Sequence, residues 1–360
     1  MVVCNACRYC EGYCAVFQAM ERRVAFPAAD MNYLANLCHN CGECLYACQY
    51  APPHAFAINV PRNLAQIRLA SYEQYAWPAC LGRAFRMHSV GTSLAVSGAM
   101  IAVMVAATAI AGSFGAPGAS ANFYAVLPHG AMVGMFGSVF TFVLLALAIG
   151  VARFRRDTRS AGPRLGDTGT PRRGTRPTYR GTRPTYKAVK DALTLKNLHG
   201  SGADCTYQGE ESRTPWRRWF HHCTFYGFLL CFASTSVAAV YHWLGWSAPY
   251  GYTSVPVILG SLGGFGLLIG PAGLCGLSVA RDADLTDPVQ QPIDRGFVLL
   301  LFLTSLTGLA LLVLRATPAM PTLLVVHLGV VLALFVTMPY GKFVHGLYRT
   351  AALVQHHSER

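Results

Sequence analysis

A mainly α-helical chain is predicted, with a small soluble N-terminal domain followed by a bundle of about six transmembrane helices. Three observations carry this. Eight of the thirteen cysteines lie in the first 48 residues. Six long apolar stretches follow them. Only 12% of the 360 residues are charged and 53% are hydrophobic, roughly half the charged share of a soluble domain.

Residues 1–80 are expected to form the soluble domain. Cys4 arrives at once, with no n-region or h-region before it, so no cleavable signal peptide is expected. Asp30 suits the cap of a short helix running to Asn36. Pro61 suits the first residue of a helix ending near Tyr75. That helix carries Leu64, Ile67 and Leu69 beside Arg62 and Arg68, a mixture suited to a surface facing a partner or lipid headgroups. Trp77-Pro78 closes it, with the tryptophan at the level of the interface.

The apolar stretches lie near 90–112, 127–152, 222–246, 253–279, 296–315 and 322–345. Each approaches or exceeds the ~20 residues needed to cross the hydrocarbon core. Residues 81–152 are thus assigned to spans 1 and 2, 221–350 to spans 3 to 6, and 351–360 to a short tail. Between them, 153–220 is polar. It repeats RGTRPTY at Arg173–Tyr179 and Arg180–Tyr186, the mark of a duplicated linker. Glycines 260, 263, 264, 266, 270 and 273 recur along the fourth span, as small residues do where helices approach closely.

The cysteines are spaced for metal ligation. They read Cys4-x2-Cys7-x2-Cys10-x3-Cys14 and Cys38-x2-Cys41-x2-Cys44-x3-Cys48, the spacing of a ferredoxin-like domain with two [4Fe–4S] clusters. Three cysteines at steps of three wrap three corners of a cubane, and the fourth points to the other cluster. Cys4, Cys7, Cys10 and Cys48 are therefore assigned to cluster 1, and Cys38, Cys41, Cys44 and Cys14 to cluster 2. Structural zinc uses cysteine pairs separated by a long gap, and disulfides suit an oxidising compartment; neither fits. No proline follows Cys14 or Cys48 directly, and 23 residues separate Cys14 from Cys38. Both features favour the helical ferredoxin type. Cys80, Cys205, Cys223, Cys231 and Cys275 belong to no motif.

The net charge of +13 does not mark a nucleic-acid binder, because the basic residues sit in loops beside apolar spans. With residues 1–89 on the cytoplasmic side, 28 of the 29 Lys and Arg residues fall on that side, and only Arg315 on the other. The positive-inside rule then puts the cysteine domain, the basic loop and both termini in the cytoplasm.

Histidines inside a bilayer are costly and point to function. His221 and His222 are expected at the inner end of the third span and His242 at its outer end. His327 and His345 are expected at the outer and inner ends of the sixth. An 18-residue separation is about five helical turns, roughly 27 Å, which puts His327 and His345 on one face. His221 and His242 lie about 60° apart around their axis, and His222 about 160° from His242. Two b-type haems are therefore expected. The inner one would be held by His221 or His222 with His345, and the outer one by His242 with His327. His88 and His129 are candidates to replace a ligand or to line a quinone pocket.

At CNACRYCEGYCAVF, CHNCGECLYACQYAPPHAFAINVPR, HHCTFYGFLLCFAS and HLGVVLALFVTMPYGKFVHGLYR the chain resembles the tricarballylate-utilisation protein B family, also called citrate-utilisation protein B. The resemblance covers nearly the whole chain outside the duplicated linker. It implies that the eight cysteines are cluster ligands. It also implies electron transfer in a bacterial inner membrane, from a reduced FAD-dependent dehydrogenase of the tricarballylate dehydrogenase kind to the quinone pool. The two-histidine spacing of the last span is similar to that of the haem subunit of respiratory nitrate reductase. No nucleophile–base pair or phosphate loop is present, so no substrate chemistry is expected. The other class compatible with the sequence is an iron–sulfur redox sensor or scaffold in the membrane.

Overall fold

The computed structural model describes residues 1–87, 89–110, 123–159, 182–199, 205–207, 210–246 and 248–359. It is built of helices, with one short antiparallel hairpin of Cys205–Tyr207 and Glu210–Thr214. Helices α1 (Val2–Cys7), α2 (Ala15–Met20), α3 (Ala28–Leu37), α4 (Glu43–Tyr46) and α5 (Val60–Tyr75) make the N-terminal domain, and α6 (Ala79–Ala84) leads out of it. Six helices are long and apolar enough to cross a membrane: α7 (Val90–Ile110), α9 (His129–Arg159), α11 (Trp216–Trp243), α12 (Val255–Val279), α13 (Gln290–Leu314) and α14 (Met320–Thr337). Short α8 (Phe123–Val126) precedes the second of these, α10 (Thr182–Leu193) lies in the basic loop, and α15 (Val344–Ser358) ends the chain.

Several helix boundaries have visible local causes. Asn59 caps α5, its side-chain oxygen accepting from the Arg62 amide at 3.0 Å, with Pro61 in the first turn. Asp30 lies inside the first turn of α3 rather than before it; buried there, it pairs with Arg23. On α5, Leu64 and Arg68 are buried instead of facing outward, because α3 packs against α5 and Gln290 at the start of α13 accepts from Arg68 at 3.3 Å.

The sixth predicted span, 322–345, is two helices. α14 stops at Thr337, turns carry the chain to Phe343, and α15 begins at Val344. Pro339 gives the reason. It lacks an amide proton and its ring opposes the carbonyl four residues back, so the ladder ends there although Met338 itself keeps helical backbone angles. The amides of Tyr340 and Gly341 both return to the Thr337 carbonyl. His327 and His345 therefore do not share one helical face, and the five-turn argument does not apply to them.

The basic loop is also more ordered than a linker. Residues Thr182–Tyr186 of the second RGTRPTY copy begin α10, while the first copy lies outside the described residues. α10 buries Ala188, and its Asp191 carboxylate meets His357 Nε2 of α15 at 2.9 Å.

Two seams hold the molecule together. In the membrane part, α11 and α12 approach backbone to backbone. A Cβ at Gly263 would meet the Cys231 amide nitrogen at 2.8 Å, and one at Gly270 the Thr224 nitrogen at 2.6 Å. Close approach of this kind needs glycine. At the other seam, Tyr75 of α5, Phe154 of α9 and Tyr348 of α15 form a buried aromatic cluster. Phe154 stacks on Tyr348 at 5.2 Å and Tyr75 meets Phe154 edge-on at 5.4 Å, each such pair adding about 0.5–1.5 kcal/mol beyond area burial. Beside it, Arg23 is buried between Asp30 and Glu359, tying the last helix to the N-terminal domain.

Replacing Arg23 with Ala leaves the Asp30 and Glu359 carboxylates buried without their cation, a change that costs on the order of 3–5 kcal/mol. We expect a clear loss of thermal stability in detergent, larger than that of Arg23→Lys. Equal melting of wild type and Arg23→Ala would show that the latch carries no stability.

Candidate iron–sulfur site

The eight motif cysteines sit where helices end. Cys4 and Cys7 lie on α1, which stops at Arg8 in the left-handed region. Cys14 precedes α2 as its extended N-cap, and Cys38 follows α3 in the same extended form. Cys41 lies one residue before Gly42, whose φ of 99° disfavours any side chain; a Cβ there would also meet Leu285 Cδ1 at 2.7 Å. Cys44 lies on α4, and Cys48 just beyond it. This alternation of short helix and turn brings two distant stretches of chain face to face.

Two cavities result. Cys4, Cys7, Cys10 and Cys48 line the outer one, and Cys14, Cys38, Cys41 and Cys44 the inner one. Each measures about 420 Å³ counting its open mouth. Phe17, Cys44 and Val60 border both, so the cavities share a wall. Burial raises the proton affinity of the thiols, and their neighbours add to it. Cys10 is pushed up to about 11 by burial, then by Cys48, Cys4 and Cys7. Cys14 is raised by burial, then by Cys41 and Cys38, and Cys44 by burial, then by Cys38, Cys41 and Cys14. Thiolates in these cavities need a cationic centre to hold them deprotonated. Among the described residues, no three His, Cys, Asp or Glu side chains stand close enough to hold a single metal ion. The thiols surround a space, which suits a cubane better than lone zinc.

The inner cavity faces the membrane part. Its loop, Cys38 to Asn40, receives four arginines. Arg68 and Arg349 each donate to the Cys38 carbonyl at 2.7 Å. Arg217 donates to Asn40 at 2.9 Å and to His39 at 3.2 Å, and Arg281 donates to the Asn40 carbonyl as well. The Asn40 amide donates to Cys38 Sγ at 3.3 Å. Arg349 is pulled down to about 10 by burial and then by Arg68. His39 lines the inner cavity, and burial, followed by Arg349, Arg217 and Arg68, holds it well below the ordinary imidazole value. These arginines belong to no sequence motif. Their only trace in the sequence is a basic residue beside an apolar span, which the charge count reads as topology.

The membrane histidines divide differently from the expectation. His221 and His345 meet, with ring centroids 6.0 Å apart and planes at 78°. His221 Nδ1 is buried without a hydrogen-bond partner. His345 Nδ1 lies 2.5 Å from the Lys342 carbonyl, which leaves its Nε2 for another partner. His222 lies beside Tyr226. At the other end, His242 stacks on His129 at 4.0 Å and touches Tyr124. His327 instead faces α13, with Nδ1 3.0 Å from Thr307 Oγ1 and its ring against Gly308. Ring contacts thus join His221 to His345 and His242 to His129. His88 lies outside the described residues.

Comparison with known proteins agrees with this two-part layout. Residues 1–74 match the model of the citrate utilization protein B Fer4-like domain, an iron–sulfur type of domain. Residues 84–360 match that of citrate utilization protein B. Citrate utilization protein B of Escherichia coli is 50% identical over 356 residues, covering 99% of this chain and 89% of that protein. No solved structure matches the chain. With both family models together spanning the cysteine domain and the helical part, the chain belongs to the citrate utilization protein B family.

Proposed function

We propose that the chain is an electron carrier of the bacterial cytoplasmic membrane. It takes electrons from a reduced FAD-dependent dehydrogenase resembling tricarballylate dehydrogenase and delivers them to the quinone pool. The observation that carries this reading is the placement of the eight cysteines around two cavities that share a wall, Cys44 lining both, with arginines from the helical part bonded to the Cys38–Asn40 loop of the inner one. [4Fe–4S] clusters held there supply one-electron carriers, suited to link a two-electron flavin to a two-electron quinone. The chain's own residues ligate, enclose and connect them. The name of the Escherichia coli relative ties that protein to citrate utilization, which supports a small tricarboxylate-metabolising donor system here.

The orientation follows from the charge count: the cysteine domain is cytoplasmic, where a soluble flavoprotein reaches the outer cavity. Exposed Val2, Tyr9 and Phe56 lie on that domain.

His221 and His345 are the residues we assign to haem b. A metal–imidazole bond is about 2.0–2.1 Å, so two rings on opposite sides of one ion have centroids on the order of 6 Å apart, in accord with the separation of this pair. The hydrogen bond at His345 Nδ1 fixes its tautomer and leaves Nε2 as the ligand atom. A second haem on His242 and His327 lacks this support, because His242 stacks on His129 and His327 instead faces Thr307 and Gly308.

Anaerobically purified protein should contain about eight iron and eight acid-labile sulfide per chain, as two cubanes require; zinc in their place would sink the reading. The crossed ligation has its own test. Cys14→Ser with Cys38→Ser strikes one cavity only and should retain about four iron, whereas Cys38→Ser with Cys48→Ser should retain almost none. The opposite pattern would assign each motif to its own cluster. In the reduced-minus-oxidised spectrum, His221→Ala and His345→Ala should each abolish bis-histidine haem bands. Undiminished bands in both variants would remove this pair as the ligands.

A further inference from the structure

We propose that the arginines converging on the Cys38–Asn40 loop make the inner cluster the stronger electron acceptor of the two, and so set the direction of transfer from the outer cavity to the membrane. The inference rests on the two-cluster reading above and adds an order to it.

Reduction adds one negative charge to a cluster. Positive charge held nearby, away from water, stabilises the reduced form, and hydrogen bonds to the ligand sulfurs act the same way. The inner cavity has both. Arg68, only 2% exposed, and Arg349 meet on the Cys38 carbonyl at 2.7 Å. Arg217 and Arg281 close on the next carbonyls. The Asn40 amide reaches Cys38 Sγ. Glu43 is the acidic side chain on the inner wall, and four guanidinium groups outweigh it.

The outer cavity is different. Neither cavity has an arginine in its lining, but Arg8, the basic residue within the outer motif, is exposed and donates to the Asn5 carbonyl rather than to a cysteine loop. Its sulfur contact is the neutral Gln49 amide, 3.9 Å from Cys7 Sγ. The arginine field therefore favours the inner cluster over the outer. One electron leaves the outer cluster, oxidising it, and reduces the inner one; no bond or proton changes in this step. The reduced flavoprotein replenishes the outer cluster.

The test is a redox titration of the purified full-length chain in detergent, followed by electron paramagnetic resonance. Iron and sulfide are counted first, so that a chain lacking clusters refutes the proposed function and not this inference alone. Cys7→Ser, which strikes only the outer cavity, assigns the two signals. In the wild type the inner cluster should reduce at the higher potential. Arg68→Gln and Arg349→Gln should each shift the electron's partition about tenfold toward the outer cluster, equivalent to ~59 mV for a one-electron couple, and leave the outer potential in place. Arg349→Lys, which keeps the charge, should restore most of the shift. If Arg68→Gln loses iron, Arg217→Gln at the loop's outer carbonyls is scored the same way. Equal potentials in the wild type would overturn the proposal. So would unmoved potentials in variants with full iron content.

Discussion

Four guanidinium groups closing on three successive carbonyls form the contact on which the arrangement turns. A loop shaped around a cluster has no regular partners for its backbone, and a buried carbonyl left unpaired is costly. Here Cys38, His39 and Asn40 follow the end of α3, and their carbonyls are met by arginines from α5, from the start of α11, from beyond α12 and from α15. One loop thereby fixes the N-terminal domain to three parts of the membrane bundle. A buried guanidinium is itself expensive unless a negative charge answers it. Arg68 and Arg349 make no carboxylate ion pair among the described residues. On the function proposed above, cysteine thiolates holding an anionic cluster in the adjoining cavity would answer them, and the two costly features would compensate each other.

The sequence made local features legible and hid those built from distant residues. Cysteine spacing is local, since a step of three already says which side chains can reach one cubane. Apolar length is local as well, and six spans emerge near their predicted places. The break at Pro339 was written in the chain, but the apolar run on either side masked it, and the eighteen-residue interval then put His327 and His345 on one imagined helix. The arginines could not be read at all. Arg349 lies 311 positions from the carbonyl it bonds, and nothing in its neighbourhood distinguishes it from a residue that orients a span. Arg68 was misread for the same reason: its helix has mixed polarity, and only the packing of α3 and the start of α13 turns that face inward.

His221 and His345 lie together although the argument that paired them assumed a different helix. The helical-wheel argument depended on a continuous sixth span. The structure brings the two rings together by another route: the chain turns at Pro339, α15 packs on α10, α3 and α9, and His345 meets His221 of α11. His345 then lies among Lys342, Arg349 and His221, and burial followed by Lys342 and Arg349 holds it well below the ordinary imidazole value. A neutral imidazole is the form that ligates metal. The outer histidines had no such turn to bring them together, and His242 found His129 instead.

The order of the two cavities gives the clamp a further meaning. Electron transfer weakens steeply with distance, so a carrier must hold its stations at fixed separations. The cavities meet across Phe17, Cys44 and Val60, each contributed by the folded domain. His39 lines the inner cavity and feels Arg349, Arg217 and His221, so a haem on His221, as proposed, would lie just beyond it. A domain tethered only by a linker would let that last gap vary. The arginine contacts, the aromatic cluster of Tyr75, Phe154 and Tyr348, and the Arg23 latch remove this freedom from three sides, as a site placed on rigid elements requires. The residues that hold the domain against the membrane helices are therefore largely those that charge the inner cavity. On the proposed reading, the arginines of the Cys38–Asn40 loop would both help fix the distance and bias the electron.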